Sequence, residues 1–239
     1  GHGHGGVRRG VVPEGPVAVT TLVAATRGAL AGLPAEVAPT LLGGELRVTT
    51  GTGPVVLRIT EVEAYHGRGT GPQADPGSHA RMGPTARNAT MWGEPGHLYV
   101  YLSHGIHSCV NVVCGPEGVA GGILLRAGEV VDGADAAHAR RPAARTARDL
   151  ARGPGRLGDA VGLRHPIHDG IDAVTGEEQA GASARLFLRA DPLVEIATGP
   201  RVGVAGTAGT DAFPWRFWIP GDPTVSAFRW GRGAREAAG

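Results

Sequence analysis

The chain has no lysine, so all 23 of its basic side chains are arginines, set against 22 acidic residues. Catalysis through a Schiff base on a lysine side chain is therefore excluded. The formal net charge of +1 gives no sign of a nucleic-acid partner. Arginine pairs phosphate through two parallel hydrogen bonds and keeps its charge. A codon bias toward arginine, alanine and glycine nevertheless explains most of this composition.

Cysteines and long apolar runs are also scarce. Cys109 and Cys114 differ in parity along a predicted strand, so their side chains should point to opposite faces. A disulfide between them is not expected, which fits a reducing cytosol. No apolar run is long enough to cross a bilayer, and the N-terminus lacks a secretory signal pattern. We expect a cytoplasmic protein without a membrane partner.

The length and the glycine content favour one loop-rich domain. A chain of 239 residues with 41% hydrophobic content can bury one substantial core. Its 41 glycines and 18 prolines favour short strands over a helical bundle. We expect residues 1–16 to form a disordered tail, residues 17–230 a single domain and residues 231–239 a C-terminal tail. The two histidines of the first tail could bind a stray metal ion, but without cysteine or carboxylate partners they are weak evidence for a metal site.

Hydrophobic periodicity predicts two hairpins in the first half of the chain. The predicted elements are a helical segment Val17–Leu33, a first hairpin of Leu41–Val48 and Val55–Tyr65, and a second hairpin of Leu98–Leu102 and His107–Val113. A tight turn at Ser103–Gly105 should present His104 to solvent. The loop between the hairpins, His66–Arg87, is long enough to be either functional or disordered.

The second half shows weaker patterns. Asp135–Leu150 is predicted to be an exposed helix, with arginines at 141, 145, 148 and 152 spaced near helical turns. The next five residues, 153–157, combine glycine with a helix start, which could offer backbone amides to a phosphate. A solvated arginine face and a phosphate site both remain open here. Short strands are predicted at Ala184–Leu188 and Arg201–Ala205, and a final strand and turn within 214–226.

The strand from Leu57 to Tyr65 carries a candidate catalytic carboxylate. Period-two alternation places Glu63 and Tyr65 on one face. Arg126 lies in an apolar strand, where burying a guanidinium is costly unless it is paired, so a carboxylate such as Glu63 is its expected partner. A single glutamate in a strand is more often solvated or salt-bridged than catalytic, and the alternating Tyr99 and Tyr101 are more often ordinary packing.

Nine short motifs occur in an order that resembles the 3-methyladenine (alkylpurine) DNA glycosylases. They are VEAY, SHA, T-x-RN, G-x-LYVY, G-x-x-x-C-x-N, LLRA, GP-x-x-L, RVGV and RF-x-x-x-G-x-P-x-VS, and they run from about Leu41 to Ala227. The resemblance implies an α+β fold in one domain. That fold has a mixed, mostly antiparallel curved sheet with flanking helices and a protruding hairpin, and it is similar to the C-terminal domain of formyltransferases.

The same resemblance implies a base-excision enzyme that flips alkylated purines out of double-stranded DNA and hydrolyses the N-glycosidic bond. The absence of lysine predicts that the enzyme is monofunctional and leaves an abasic site. Glu63 would activate the attacking water, with Arg126 and the main-chain carbonyl of Val202 also holding that water. An arginine beside a carboxylate favours the ionised form that a general base requires. The implied base pocket consists of Tyr65, His79, Tyr101, Asn111 and Ile106. The implied DNA contacts are His104 as the wedge, and Thr85, Arg87 and Arg156 at the backbone.

The resemblance further implies a monomer in the bacterial cytoplasm, associated with the nucleoid, that needs no cofactor and no metal. Three positions depart from the family pattern. His104 stands where many members have a tyrosine wedge, residues 68–73 lengthen the loop before His79, and Arg156 replaces a common lysine. A smaller ring at the wedge should retain the lesion less well.

Two alternatives predict different properties. A non-catalytic nucleic-acid-binding module would use the arginines and tyrosines but leave Glu63 without a task. A zinc hydrolase built on His97, His104 and His107 would be inhibited by chelators. We do not expect this metal site, because two of these histidines flank a turn and no H-x-x-x-H or C-x-x-C pair accompanies them.

Overall fold

A computed structural model describes residues 19–67 and 74–239. In these residues nine strands form one sheet in which every neighbouring pair is antiparallel. The strands are β1 (Leu22–Ala24), β2 (Glu45–Thr50), β3 (Gly53–His66), β4 (Leu98–Ser103), β5 (His107–Val113), β6 (Gly121–Asp132), β7 (Ser183–Arg189), β8 (Ala197–Gly199) and β9 (Arg216–Trp218). Their order is β1-β7-β2-β3-β6-β5-β4, with β9 pairing with both β3 and β8.

Four α-helices are present in the described residues: α1 (Pro34–Leu41), α2 (Ala134–Arg140), α3 (Pro154–Val161) and α4 (Ala234–Ala237). Helices α1 and α3 pack on the sheet, where Leu41 and Leu157 join the same buried cluster as Leu57 and Ile123. The architecture is therefore one α+β domain with an open, antiparallel sheet and few helices, as predicted at this level.

Both predicted hairpins are confirmed. Strands β2 and β3 pair through the turn between Thr50 and Gly53, and β4 pairs with β5 through the turn at 104–106. The first strand begins later than predicted, because Leu41 ends α1 and Gly43, with φ of +77°, turns the chain into β2. The predicted strands near 184–188 and within 214–226 correspond to β7 and β9. Both cysteines are buried and free.

Three element predictions are wrong. The helix predicted for Val17–Leu33 is, in its described part, the edge strand β1 and a 3-10 turn at Gly28–Leu30, because pairing with β7 outweighs local propensity. The helix predicted for Asp135–Leu150 ends at Arg140, since Pro142 disfavours a helical residue before it. The strand predicted for Arg201–Ala205 is instead a turn around Gly203, whose φ is +69°.

Two predictions lie outside the described residues: the disordered tail at 1–16 and the loop extension at 68–73. Residues 231–239 lie within them. In this segment the backbone carbonyl of Arg232 accepts a hydrogen bond from the N–H of Gly206, and Ala234 is fully buried. Within the described ranges no helix is both long and apolar enough to span a membrane.

Candidate active site

A cleft of about 1090 Å³ is bounded by β3, the β4–β5 hairpin, the start of α3 and the loop after Arg201. It brings together all but one of the residues predicted to form the site. Those that line it are Glu63, Tyr65, His79, Thr85, Arg87, Tyr101, His104, Asn111, Arg126, Arg156 and Val202. Ile106, predicted for the base pocket, does not line the cleft; its side chain lies at the hairpin tip and is 72% exposed.

Glu63 lies at the buried wall of this cleft with its carboxylate held by two donors. The backbone N–H of Val202 donates to Oε2 at 2.6 Å, and the Tyr65 hydroxyl donates to Oε1 at 2.9 Å. The contact with Tyr65 follows from the alternation of β3, which places Glu63 and Tyr65 on one face. The contact with Val202 is tertiary, because the two residues are 139 positions apart. Burial, and then the negative charge of Glu63, raises the pKa of Tyr65 well above its ordinary value of 10. The tyrosine therefore stays protonated and remains a donor.

Arg126 is shared between two carboxylates. Its Nη1 lies 3.7 Å from Glu63 Oε1, and its Nε lies 3.6 Å from Glu61 Oε1. Neither distance is a close hydrogen bond. Its Nη2 donates to the Ser226 hydroxyl at 3.3 Å. The expected pairing of Arg126 with Glu63 is thus present as a loose ion pair that leaves donor capacity in the cleft.

Glu61 is a buried carboxylate to which the sequence arguments assigned no role. It accepts hydrogen bonds from the Ser226 hydroxyl at 2.6 Å and from Arg216 Nη1 at 3.1 Å. The signal was available, because Glu61 has the same strand parity as Glu63. Two buried carboxylates and two buried arginines, Arg126 and Arg216, therefore balance each other's charge locally.

Aromatic rings form another wall. His79 and Tyr101 meet edge to face with centroids 4.5 Å apart, and Tyr101 stacks on Tyr99 at 5.5 Å. The Tyr99 hydroxyl lies 3.4 Å from His79 Nδ1. Burial raises the pKa of Tyr99 to about 12, while burial and the charges of Arg87 and Arg81 lower the pKa of His79. The wall is consequently neutral at pH 7 and offers ring surfaces to a flat ligand.

Asn111 lies beside these rings. Its side-chain amide donates to the backbone carbonyl of Tyr99 at 3.1 Å, which fixes the orientation of the amide. Its other polar groups are available to a ligand edge.

A second pair that sequence reasoning missed lies behind the site. Asp75 and Arg201 are fully buried and form a bidentate ion pair with N–O distances of 2.7 and 2.8 Å. A side chain on Gly77 would place its Cβ 2.7 Å from Arg201 Nη2, so the pair requires glycine there. No local sequence pattern joins residues 126 positions apart, although both lie near motifs quoted above.

The rim of the cleft is positively charged. The arginines that line it are Arg81, Arg87, Arg141, Arg152, Arg156 and Arg229. Of the arginine stripe predicted for one helix, only Arg141 and Arg152 reach the cleft, because that helix ends early. Helix α3 begins at the rim, where Gly153 has φ of +130° and Gly155 packs under His107. This arrangement suits a polyanionic ligand.

His104 occupies the tip of the β4–β5 hairpin. Its φ of +51° is in the left-handed region, and its side chain is exposed at the cleft edge. The backbone N–H of Ile106 donates to the Ser103 carbonyl at 3.0 Å and closes the turn. The side chains of His104 and Ile106 are both exposed at this turn.

The three histidines considered for zinc do not converge in the described structure. His97 Nδ1 bonds the Gly170 carbonyl, His104 is at the tip, and His107 packs on Gly155. No group of three or more His, Cys, Asp or Glu side chains within 19–67 and 74–239 is arranged to hold a metal ion.

A buried, hydrogen-bonded carboxylate next to a ring-lined cleft with an arginine rim has the parts of an enzyme that acts on a planar group of a polyanion. Comparison with known proteins agrees. Residues 29–223 match the family described as methylpurine-DNA glycosylase (MPG).

Relatives named "Putative 3-methyladenine DNA glycosylase" cover most of the chain. The one from Leifsonia xyli is 49% identical over 213 residues, covering 87% of this chain and 94% of the relative. The one from Nocardia farcinica is 52% identical, covering 82% of this chain and 87% of the relative. The one from Streptomyces avermitilis is 50% identical, covering 81% of this chain and 86% of the relative. The chain belongs to the methylpurine-DNA glycosylase family, whose enzymes hydrolyse N-glycosyl bonds.

Proposed function

We propose that the protein is a monofunctional DNA glycosylase that flips an alkylated purine, such as 3-methyladenine or 7-methylguanine, into the cleft and hydrolyses its N-glycosidic bond. One observation carries the proposal. Glu63 is buried yet lines a cleft walled by Tyr65, His79 and Tyr101, with Arg126 beside it. Activity on neutral lesions such as hypoxanthine or ethenoadenine is part of the same proposal.

In this mechanism Glu63 accepts a proton from the water that attacks C1′ of the flipped nucleotide. The N–H of Val202 and the hydroxyl of Tyr65 hold the carboxylate, so its orientation is set before substrate arrives. Arg126 keeps donors free to hold the water, since neither of its carboxylate contacts is close. The carbonyl of Val202 is proposed as a further partner of the water.

The substrate supplies the rest of the driving force. N3- and N7-alkylated purines carry a positive charge that is neutralised when the glycosidic bond breaks, so one carboxylate suffices and no strong general acid is needed. Stacking of the cationic base between aromatic rings contributes about 0.5–2 kcal/mol through cation–π attraction. Neutral lesions lack both advantages and should be removed more slowly.

The rim contacts the duplex. Thr85, Arg87 and Arg156 are proposed to bind backbone phosphates, and His104 to fill the gap left by the flipped base. Asn111 is proposed to screen the purine edge. Ile106, outside the cleft, is available to the groove next to the gap instead of the base.

Glu63→Gln tests the catalytic assignment, because the amide keeps the shape of the side chain but cannot accept the water's proton. We expect the single-turnover rate on 7-methylguanine DNA to fall by about 10²–10⁴-fold, with lesion binding retained. Alkaline cleavage of a labelled oligonucleotide measures the abasic product. Glu129→Gln, which changes a half-exposed glutamate on β6, is the matched control.

Equal rates for Glu63→Gln and the parent would instead support a binding module without glycosidic chemistry. Full activity in EDTA is expected, and inhibition by the chelator would favour the zinc hydrolase.

The absence of lysine predicts the product. A glycosylase that also nicks the strand normally uses an amine nucleophile, and no side chain here supplies a primary amine. We expect an intact abasic strand as the product on a denaturing gel without alkali. A covalent protein–DNA adduct trapped by borohydride would contradict this prediction.

A further inference from the structure

The Asp75–Arg201 pair connects three parts of the site. Arg201 donates to the backbone carbonyls of Ala64 and Ala208 at 3.2 and 3.1 Å, in addition to both oxygens of Asp75. Asp75 also accepts the backbone N–H of His66 at 3.0 Å. The pair therefore links three segments. They are the end of β3, the loop in which Asp75 precedes His79, and the segment in which Arg201 precedes Val202.

Arg201 also lies against the ring of Tyr65. Its guanidinium carbon is 4.6 Å from the ring centroid. Arg201 is fully buried and does not line the cleft, whereas Tyr65 does. The guanidinium is thus behind the ring, and the side of Tyr65 that receives a ligand is the opposite one.

This placement creates a conflict for a cationic ligand. Both the guanidinium and a positively charged base would be attracted to the same ring quadrupole, and the two cations would repel each other across the ring. Asp75 removes the conflict, because its bidentate contact makes the buried unit neutral overall. An arginine cannot lose its charge by deprotonation, so only a counter-charge can do this.

We propose that Asp75 is a specificity-determining positioning residue: by neutralising Arg201 behind Tyr65, it lets the ring stack on positively charged alkylpurines in preference to neutral ones. This inference rests on the proposed function. It concerns the choice between lesions and not the chemical step.

The test compares the affinities for a cationic and a neutral lesion. Binding is measured in a Glu63→Gln background, so that neither base is released, with duplexes that contain 7-methylguanine, ethenoadenine or no lesion. Asp75→Asn leaves the Arg201 charge without its partner, and we expect the affinity ratio of 7-methylguanine to ethenoadenine to fall roughly three- to tenfold. A purely structural role would weaken binding of both lesions by the same factor.

Two further variants keep the test valid if Asp75→Asn does not fold. Arg201→Met leaves the negative charge behind Tyr65, so the ratio should rise above that of the parent. The double variant Asp75→Asn/Arg201→Met removes both charges, so the ratio should return to the parent value even if both affinities are lower. A ratio that stays constant in every folded variant overturns the inference.

The control is Asp172→Asn, which removes a carboxylate that pairs with Arg27 outside the cleft. It should not alter the ratio. If the parent binds neither lesion better than undamaged DNA, the proposed function and this inference fall together. If the parent discriminates against undamaged DNA while the ratio does not respond to these variants, only the inference fails.

Discussion

Charge at the site is compensated residue by residue. Glu61 and Glu63 are fully buried, and burying an unpaired carboxylate would cost several kcal/mol. Arg126 and Arg216 supply the two opposite charges, while the Val202 N–H and the Tyr65 hydroxyl complete the hydrogen bonds of Glu63. The carboxylate that the proposed reaction uses is consequently held in place by groups of the protein itself, and its position does not depend on the substrate.

His79 predicts a pH effect on cationic substrates. Burial, then the positive charges of Arg87 and Arg81, lowers its pKa below 6.5, so its ring is neutral at pH 7. As the pH falls through that lowered pKa, the imidazolium that forms should repel a cationic base. We expect kcat/KM for 7-methylguanine DNA, divided by that of His79→Gln, to be constant near neutral pH and to fall as the pH drops through the lowered pKa of His79.

The division cancels the titration of groups common to both proteins, including the general base. A pH-independent ratio would show that protonation of His79 does not affect the substrate. His138→Gln, on helix α2 and outside the cleft, should follow the parent at every pH.

Among the elements, β3 carries the site because one face of a single strand presents Glu61, Glu63 and Tyr65. The pairing of β3 with β6 shifts register around Glu61 and Val62, and β9 pairs with β3 at the same place. At this irregularity Arg216, which lies opposite Glu63 in the register, donates to Glu61, while Glu63 lines the cleft.

We predict that His104, at the tip of the β4–β5 hairpin, acts as the wedge. His104 lines the cleft edge whereas Ile106, two residues away, does not. His104→Ala should weaken binding to lesion-containing DNA by about fivefold or more, because the alanine cannot stack in the gap. The thermal midpoint should change little, since the side chain is exposed. Fluorescence anisotropy with a labelled duplex measures the affinity.

Ile106→Ala at the same tip is the comparison. A larger loss of affinity from Ile106→Ala than from His104→Ala would assign the wedge to isoleucine. His104→Tyr should bind more tightly than the parent, because a larger ring stacks better.

At the level of the whole molecule, the C-terminal segment holds the loop that contacts Glu63. Gly203 and Gly206 donate backbone hydrogen bonds to Arg229 and Arg232 at 3.0 and 2.8 Å. Ala234 is buried against Gly209. A Cβ added to Gly209 would lie 3.1 Å from the Cβ of Ala234. The position of the Val202 amide thus depends on residues that follow the family match, which ends at residue 223.

Ala234→Leu tests this dependence. The larger side chain has no space, so we expect unfolding in urea at a lower midpoint, with a loss of about 1–3 kcal/mol, together with slower excision. Ala237→Leu, an exposed position on the same helix, should change neither property. Unchanged excision by an Ala234→Leu variant whose urea midpoint is lowered would mean that the segment is independent of the site.

The sequence by itself determined the features that depend on local pattern. Period-two alternation placed Glu63 beside Tyr65, turn residues defined both hairpins, and ordered motifs indicated the family. Only the tertiary structure decided the rest. Pairing with β7 made a strand of residues predicted to be helical, and packing brought Arg201 to Asp75 across 126 positions. Such contacts depend on how distant segments fold together, because buried charges require partners that no local pattern specifies.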